Sequence, residues 1–328
     1  MIFRTPSEIP QKLITAMKVL VVSIIVLMAF GAFVRTMNAG LTCPDWPLCF
    51  GKVIPEYHFG VYLEFIHRAY AGLETILFLV CLAAILRNPF VSKTTKRMSQ
   101  VALAFLLCQI VMGGLTVLLL LKSVIVTSHL ALAALFMASI WWTTLRLQKE
   151  RDKSRFTSTI TKKTANIISV LPFMIFIQLL LGGLVASTYS GLVCLDFPKC
   201  NGMWIPRLTG TLGLQVIHRF WAYLLAISIF AIRVWAARDE RTKRLNPKIF
   251  FSAKILFMFV VLQIFWGVLN LKYYLPAWGA VLHHLTGVVL FALSIRFVFI
   301  VREITPEKES QAARLDGPVE KALDPSMI

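Results

Sequence analysis

The sequence predicts an all-α membrane protein of eight transmembrane helices, arranged as two tandem four-helix bundles. Three observations carry that prediction. Of 328 residues, 58% are hydrophobic and only 15% charged, with mean hydropathy +0.74, too apolar for an ordinary soluble domain. The apolar residues gather into eight segments near 14–37, 62–86, 99–121, 124–147, 165–188, 213–237, 250–272 and 279–301. Each can cross a hydrocarbon core about 30 Å thick. Finally, the second half of the chain repeats the first.

The repeat is plainest at Glu64-Phe65-Ile66-His67-Arg68, which returns 151 positions on (67 to 218) as Gln215-Val216-Ile217-His218-Arg219. The preceding loops match at the same offset: Gly40, Leu41, Cys43, Asp45, Pro47, Cys49 and Gly51 answer Gly191, Leu192, Cys194, Asp196, Pro198, Cys200 and Gly202. Further on the offset drifts, with Gln109-Ile110-Val111-Met112-Gly113 answered by Gln263-Ile264-Phe265-Trp266-Gly267, and His129-Leu130 read against His284-Leu285. A unit of four helices is even in number, so both copies share one orientation and a pseudo-twofold axis along the membrane normal is expected. The predicted organisation is a bundle over 1–147, a linker at 148–163, a second bundle over 164–302 and a disordered tail at 303–328, where Pro, Glu, Lys and Asp mix without periodicity.

The net charge of +18 is a matter of orientation, not of nucleic-acid binding. Basic residues crowd alternate connections: Arg4, Lys12 and Lys18 before the first segment, Arg87, Lys93, Lys96 and Arg97 after the second, Arg146 to Lys163 after the fourth and Arg238 to Lys248 after the sixth. That distribution places these connections and both termini on the cytoplasmic side. The first segment is longer than a signal-peptide core and is read as retained.

Four of the six histidines, His67, His129, His218 and His284, fall near the outer ends of the even-numbered segments. Two imidazoles per bundle at similar depth are what axial ligation of a heme requires, whereas zinc wants more side-chain ligands at each site. His283 adjoins His284 but points about 100° away on a helix, and the match to His129-Leu130 selects His284. His58 has no counterpart and is expected to be exposed. Arg68 and Arg219 follow the first histidine of each copy and are candidate contacts for heme propionates, with snorkelling to lipid phosphates as the alternative.

Glu64 shares a helical face with His67, and an ionisable side chain in an apolar segment is a functional candidate by default. Its counterpart Gln215 keeps the shape without the acid, which makes the first copy the reactive one. Cys43 with Cys49, and Cys194 with Cys200, lie in loops assigned to the oxidising side, where each pair can close a small ring. A structural clip is the simpler role for both, and thiol-disulfide redox work is an equal alternative for Cys43 and Cys49. Cys81 and Cys108 are read as packing residues, and the pairs Gly113-Gly114 and Gly182-Gly183 as sites of close helix approach.

These features together resemble the heme A synthase family, over about residues 14–302: the doubled four-helix unit, Glu64-x-x-His67-Arg68, the His-Leu starts at His129 and His284, and the paired cysteine loops. The resemblance implies an oxidoreductase of a bacterial plasma membrane that oxidises a methyl group of heme O to a formyl group in two steps, giving heme A for terminal oxidases. It implies heme b as cofactor on His218 and His284, heme O as substrate on His67 and His129, Glu64 as the catalytic carboxylate, and redox work for Cys43 and Cys49. A heme O synthase (protoheme farnesyltransferase) is the implied upstream partner, and an electron acceptor is required. The rival readings are a diheme transmembrane cytochrome b and a non-enzymatic heme carrier. The cytochrome gives no reason for Glu64 in one copy alone or for the paired cysteine loops, and a carrier would release heme reversibly without changing the porphyrin.

Overall fold

Eight helical spans in the computed structural model, which describes residues 8–152, 156–158, 160–239 and 247–306, are long and apolar enough to cross a membrane. In chain order they are α1 (Gln11–Thr36), α2 (Phe59–Arg87), α3 (Lys93–Leu118), α4 (Ser123–Asp152), the pair α5 (Lys162–Ser169) and α6 (Leu171–Ser187), α7 (Gly210–Arg238), α8 (Pro247–Lys272) and α9 (Ala277–Glu303). The number of spans is the one the apolar segments predict. Their ends reach further, because backbone hydrogen bonding does not stop where apolar sequence does. Lys93 to Arg97 belong to α3, whose first turn is capped by the Ser92 hydroxyl accepting from the Thr95 N–H. α2 and α7 each begin three residues before the predicted segment. The fifth span breaks at Val170, just before Pro172, whose missing N–H and bulky ring disfavour a continuous helix.

Packing closes each half on itself. α1 packs on α2, α2 on α3, α3 on α4 and α4 on α1; likewise α6 on α7, α7 on α8, α8 on α9 and α9 on α6. The seam between the halves pairs α1 with α9, α4 with α6, and α4 with α9. Exchanging the halves exchanges the first two of these contacts and returns the third. Direct bonds cross the seam: the Trp141 indole donates to the Ala292 carbonyl at 3.0 Å, the Ser123 hydroxyl to the Ser187 carbonyl at 2.9 Å, and the Arg35 guanidinium to the carbonyl of Ala186, its own repeat equivalent. One contiguous apolar core runs through both halves, from Ile14 and Met17 to Phe297 and Val301. α9 lies at its centre, with 67% of its apolar window buried inside the protein.

Two differences from the sequence reading concern the basic end. The predicted linker at 148–163 is partly regular: α4 runs on to Asp152, strand β1 (Phe156–Ser158) follows, and α5 begins at Lys162. The predicted disordered tail begins too early, since Glu303 completes α9 and strand β2 (Ile304–Pro306) pairs in parallel with β1, Phe156 opposite Ile304. The pairing gives the backbone groups just past a helix end the partners they need. The rest of the predicted tail, 307–328, lies outside the described residues.

Candidate functional site

The four helices that start at the loop end of the molecule, α2, α4, α7 and α9, each carry an imidazole a fixed distance inside. His67 and His218 come eight residues after the first residues of α2 and α7 (Phe59 and Gly210). His129 comes six after the first residue of α4 (Ser123), and His283 six after that of α9 (Ala277). At 1.5 Å per residue these are depths of about 12 Å and about 9 Å. His67 and His129 are electrostatic neighbours, as are His218 and His283.

A glycine of the preceding span faces every one of these rings. A Cβ on Gly31 would lie 3.0 Å from Cε1 of His67, on Gly113 3.2 Å from His129, on Gly182 3.2 Å from His218, and on Gly267 3.4 Å from His283. Gly113 and Gly182 thus serve to seat an imidazole, which the reading of them as close helix contacts did not specify. Their neighbours have other tasks: the Trp46 indole lies over Gly114, and Leu130 of α4 packs on Gly183 across the seam.

The fourth imidazole of the set is His283 and not His284. The glycine, the depth and the pairing with His218 all belong to His283. The backbone of Gln263 lies beside the His283 ring as that of Gln109 lies beside His129. The offset set by Gln109 with Gln263 and Gly113 with Gly267 is 154 (113 to 267), and carried to His129 it lands on His283. The His-Leu dipeptide match was the weaker signal, and His284 lies about 100° around the helix. His58 is exposed, as expected of it.

The four rings fit a group held between paired imidazoles. Nδ1 of His67, His129, His218 and His283 is buried without a hydrogen-bond partner, an uncommon condition for a buried polar atom. His284 also has a partnerless ring nitrogen, Nε2, so position rather than saturation separates it from His283. Among the described residues no group of three or more His, Cys, Asp or Glu gathers as a metal site. A porphyrin brings four ligands of its own and needs only two from the protein, which is the number each half presents.

Above the rings, toward the loop end, the two cysteine loops are built alike. Cys43 and Cys49 form a disulfide, as do Cys194 and Cys200, with Cα atoms 4.8 Å apart in both. Asp45 accepts from the N–H groups of Phe50 (2.6 Å) and Gly51 (2.8 Å), and Asp196 from those of Asn201 (2.5 Å) and Gly202 (2.9 Å). These bonds, led by the Gly51 and Gly202 N–H groups, hold both carboxyls below the usual aspartate range.

Arg68 and Arg219 pin these loops. Arg68 donates to the carbonyls of Asp45 (2.8 Å), Leu48 (2.7 Å) and Cys43 (3.4 Å); Arg219 donates to those of Asp196 (2.8 Å), Lys199 (2.7 Å) and Cys194 (2.7 Å). Their donors are engaged with loop carbonyls, a role no sequence pattern announced.

Glu64 is 5% exposed and fully partnered. One carboxylate oxygen pairs with Arg68 at 2.5 Å; the other accepts from the Cys43 N–H at 2.9 Å and the Thr42 hydroxyl at 3.2 Å. The cation resolves the cost of burying a carboxylate there. Gln215, in the same place, donates to the Gly191 carbonyl at 3.3 Å and leaves its own oxygen without a partner. The acid is thus joined directly to the disulfide loop in the first half, and the second half has no equivalent charge.

Residues 14–295 match the family model COX15-CtaA, described as a cytochrome oxidase assembly protein. The chain belongs to this family. The matched span takes in both disulfide loops, Glu64 and all four seated imidazoles. The chain is 26% identical over 276 residues to the heme A synthase of Shouchella clausii, covering 83% of this chain and 91% of that one. It is 29% identical over 221 residues to that of Halalkalibacterium halodurans (66% and 74%), and 26% over 332 residues to that of Neorickettsia sennetsu (87% and 97%). As a family member with eight apolar spans, it is a multi-pass membrane protein.

Proposed function

We propose that this chain is a heme A synthase, an oxidoreductase that converts a methyl group of heme O to the formyl group of heme A. The observation that carries the proposal is the pairing of seated imidazoles in both halves with a buried, cation-paired carboxylate in one. Heme O is the substrate of the first half, held by His67 and His129. Heme b is the cofactor of the second half, held by His218 and His283, and when bound it supplies a one-electron redox couple.

The work of the chain's own residues follows from their places. Glu64 lies three residues from His67, one turn nearer the disulfide loop, where it keeps a negative charge in a low-dielectric setting. From there it would stabilise positive charge developing at the substrate methyl carbon and take up a proton at each of the two oxidations, methyl to alcohol and alcohol to hydrated aldehyde, whose two electrons apiece pass to the electron acceptor that the reaction requires. Arg68 holds Glu64 in that position, and the Cys43–Cys49 loop closes over it. Both disulfides act as clips; the first also fixes the Cys43 N–H that Glu64 uses. Arg68 and Arg219 anchor the loops, and with further donors on each guanidinium they are also the contacts for the propionates. The cysteine loops face outward and the basic end faces the cytoplasm of a bacterial cell. A heme O synthase stands upstream, since a farnesylated porphyrin is ill suited to free diffusion through water.

Replacing Glu64 with Gln tests the reading. The variant is expected to keep its porphyrin spectra while formyl product, measured by chromatography of extracted hemes, falls by about 10²–10⁴-fold. Unaltered heme A production would remove Glu64 from the chemistry. Porphyrin bound and released unchanged by the natural protein would make it a carrier.

A further inference from the structure

A second acid lies deeper in the first half. Glu74 is in the middle of α2 and 6% exposed, and its hydrogen-bond partner is the Ser23 hydroxyl of α1 at 2.6 Å. The same hydroxyl lies 2.9 Å from the Tyr70 hydroxyl. Among the described residues no Lys, Arg or His pairs with Glu74, so this carboxyl does not serve as half of an ion pair. Nor does the second half need one: the positions 151 residues on are Met174, Trp221 and Leu225, apolar or, for Trp221, bonded to the Met174 carbonyl. An ionisable group at mid-membrane depth in one copy of a repeat, where the other copy packs aliphatic side chains, is more than a packing device.

Its position relates it to His67. Tyr70 and Glu74 follow His67 at three and seven residues, on one face of α2. Ser23 is on the helix that also contributes Gly31, and the α1–α2 seam is closed once by Gly31 against His67 and again by Ser23 against Glu74. The polar cluster therefore lies along that seam, about two helical turns, or roughly 10 Å, further into the membrane than the imidazole.

A porphyrin held by His67 would keep its anionic propionates toward water, which would turn its opposite edge down this seam. Heme O differs from heme B at that edge: one vinyl group is replaced by a hydroxyl-bearing carbon that carries the farnesyl chain. A hydroxyl both donates and accepts. The Ser23 hydroxyl has one hydrogen for two neighbours, so Tyr70 or Glu74 must donate to it, and the second carboxyl oxygen of Glu74 and the Tyr70 hydroxyl keep capacity for one more partner. Ser23 and Tyr70 are only half-buried, which leaves that partner a way in.

We infer that Ser23, Tyr70 and Glu74 form the recognition site for the hydroxyl group at the base of the substrate's isoprenoid chain, and so select heme O over heme B in the first half. This rests on the first half being the substrate half. The test is a titration of the full-length purified protein, its second half already loaded with heme b, with heme O and separately with heme B, following the absorbance of the first site. Natural protein should prefer heme O. Glu74→Leu should weaken heme O about tenfold, one lost hydrogen bond to a charged or strongly polar group, and leave heme B unchanged. Glu74→Gln, which still donates and accepts, should retain the preference and show that the fold survives at this position. Equal loss of both porphyrins in Glu74→Leu, or no change in either, overturns the inference, and slower turnover with an unaltered preference would give the cluster to proton transfer instead. A natural protein that takes neither porphyrin into its first half overturns the substrate-half reading itself, which is how the two failures are told apart.

Discussion

The first and second halves of the molecule share one scaffold and differ in the polar groups added to it. Both seat two imidazoles against glycines, and both close a disulfide loop with an aspartate and pin it with an arginine. They part at two levels: Glu64 against Gln215 beneath the loop, and Ser23, Tyr70 and Glu74 against Met174, Trp221 and Leu225 deeper down. The seated imidazoles and the pinned loops are common to the halves, whereas the buried glutamates, Glu64 and Glu74, are confined to the first. Binding and reacting are therefore separable in this fold, and each can be perturbed without the other.

The largest effects should come from the imidazoles. His67→Ala and His218→Ala are each expected to empty one half and leave the other filled, so heme content per chain falls while one set of spectral bands persists. His283→Ala should behave as His218→Ala does, and His284→Ala should leave both halves occupied. Heme lost from His284→Ala and kept in His283→Ala would return the fourth position to His284 and break the match in depth between the halves.

That match shows what the sequence could reveal. The eight spans, the doubling and the pairing of cysteines were all legible, because apolar length and recurring residue types survive in one dimension. The register of α9 was not: His283 and His284 are adjacent in the chain, and a dipeptide match outweighed the Gln-x-x-x-Gly register that sets which of them faces Gly267. The loop-anchoring role of the arginines was hidden for a related reason. Arg68 and Arg219 follow a histidine near the outer end of a helix, but their partners are backbone carbonyls in the loops, and carbonyls carry no sequence signature. Glu74 lies on the His67 face of α2, but its polar partner Ser23 is far away in the chain and comes beside it only when α1 packs on α2.

The anchors sharpen the comparison at a smaller scale. Arg68→Ala removes three loop bonds and also strands Glu64, whose side chain is 6% exposed, without its cation. Breaking a buried pair from one side costs about 3–5 kcal/mol. Arg219→Ala removes the matching loop bonds with no acid left behind, and about 1–3 kcal/mol is expected. Denaturant unfolding of the two variants side by side measures the difference; equal losses would mean that the ion pair adds nothing beyond the loop bonds.

Smaller still are the glycine seats. Gly31→Ala places a methyl group 3.0 Å from the His67 ring, and Gly182→Ala places one 3.2 Å from that of His218. Each ring must yield a few tenths of an ångström, at a cost of about 1–3 kcal/mol for overpacking. Heme affinity should fall in the substituted half only, and more for Gly31 than for Gly182. A loss spread evenly over both halves would show that the halves are not independent seats.

The smallest expected effect is one in which the halves should agree. Asp45 and Asp196 are held below the ordinary aspartate range by the N–H groups of their own loops, so each carboxylate is stabilised by folding. A folded value below the unfolded one, about 3.9, means that the stabilisation is fully present above pH 4 to 5 and is lost as pH falls through the depressed folded value. Hydrogen exchange at Phe50, Gly51, Asn201 and Gly202 should then quicken, relative to the intrinsic rate, only in strong acid and in step for the two loops. Exchange that quickened at different pH in the two loops would show that their closure does not rest on the aspartates alone.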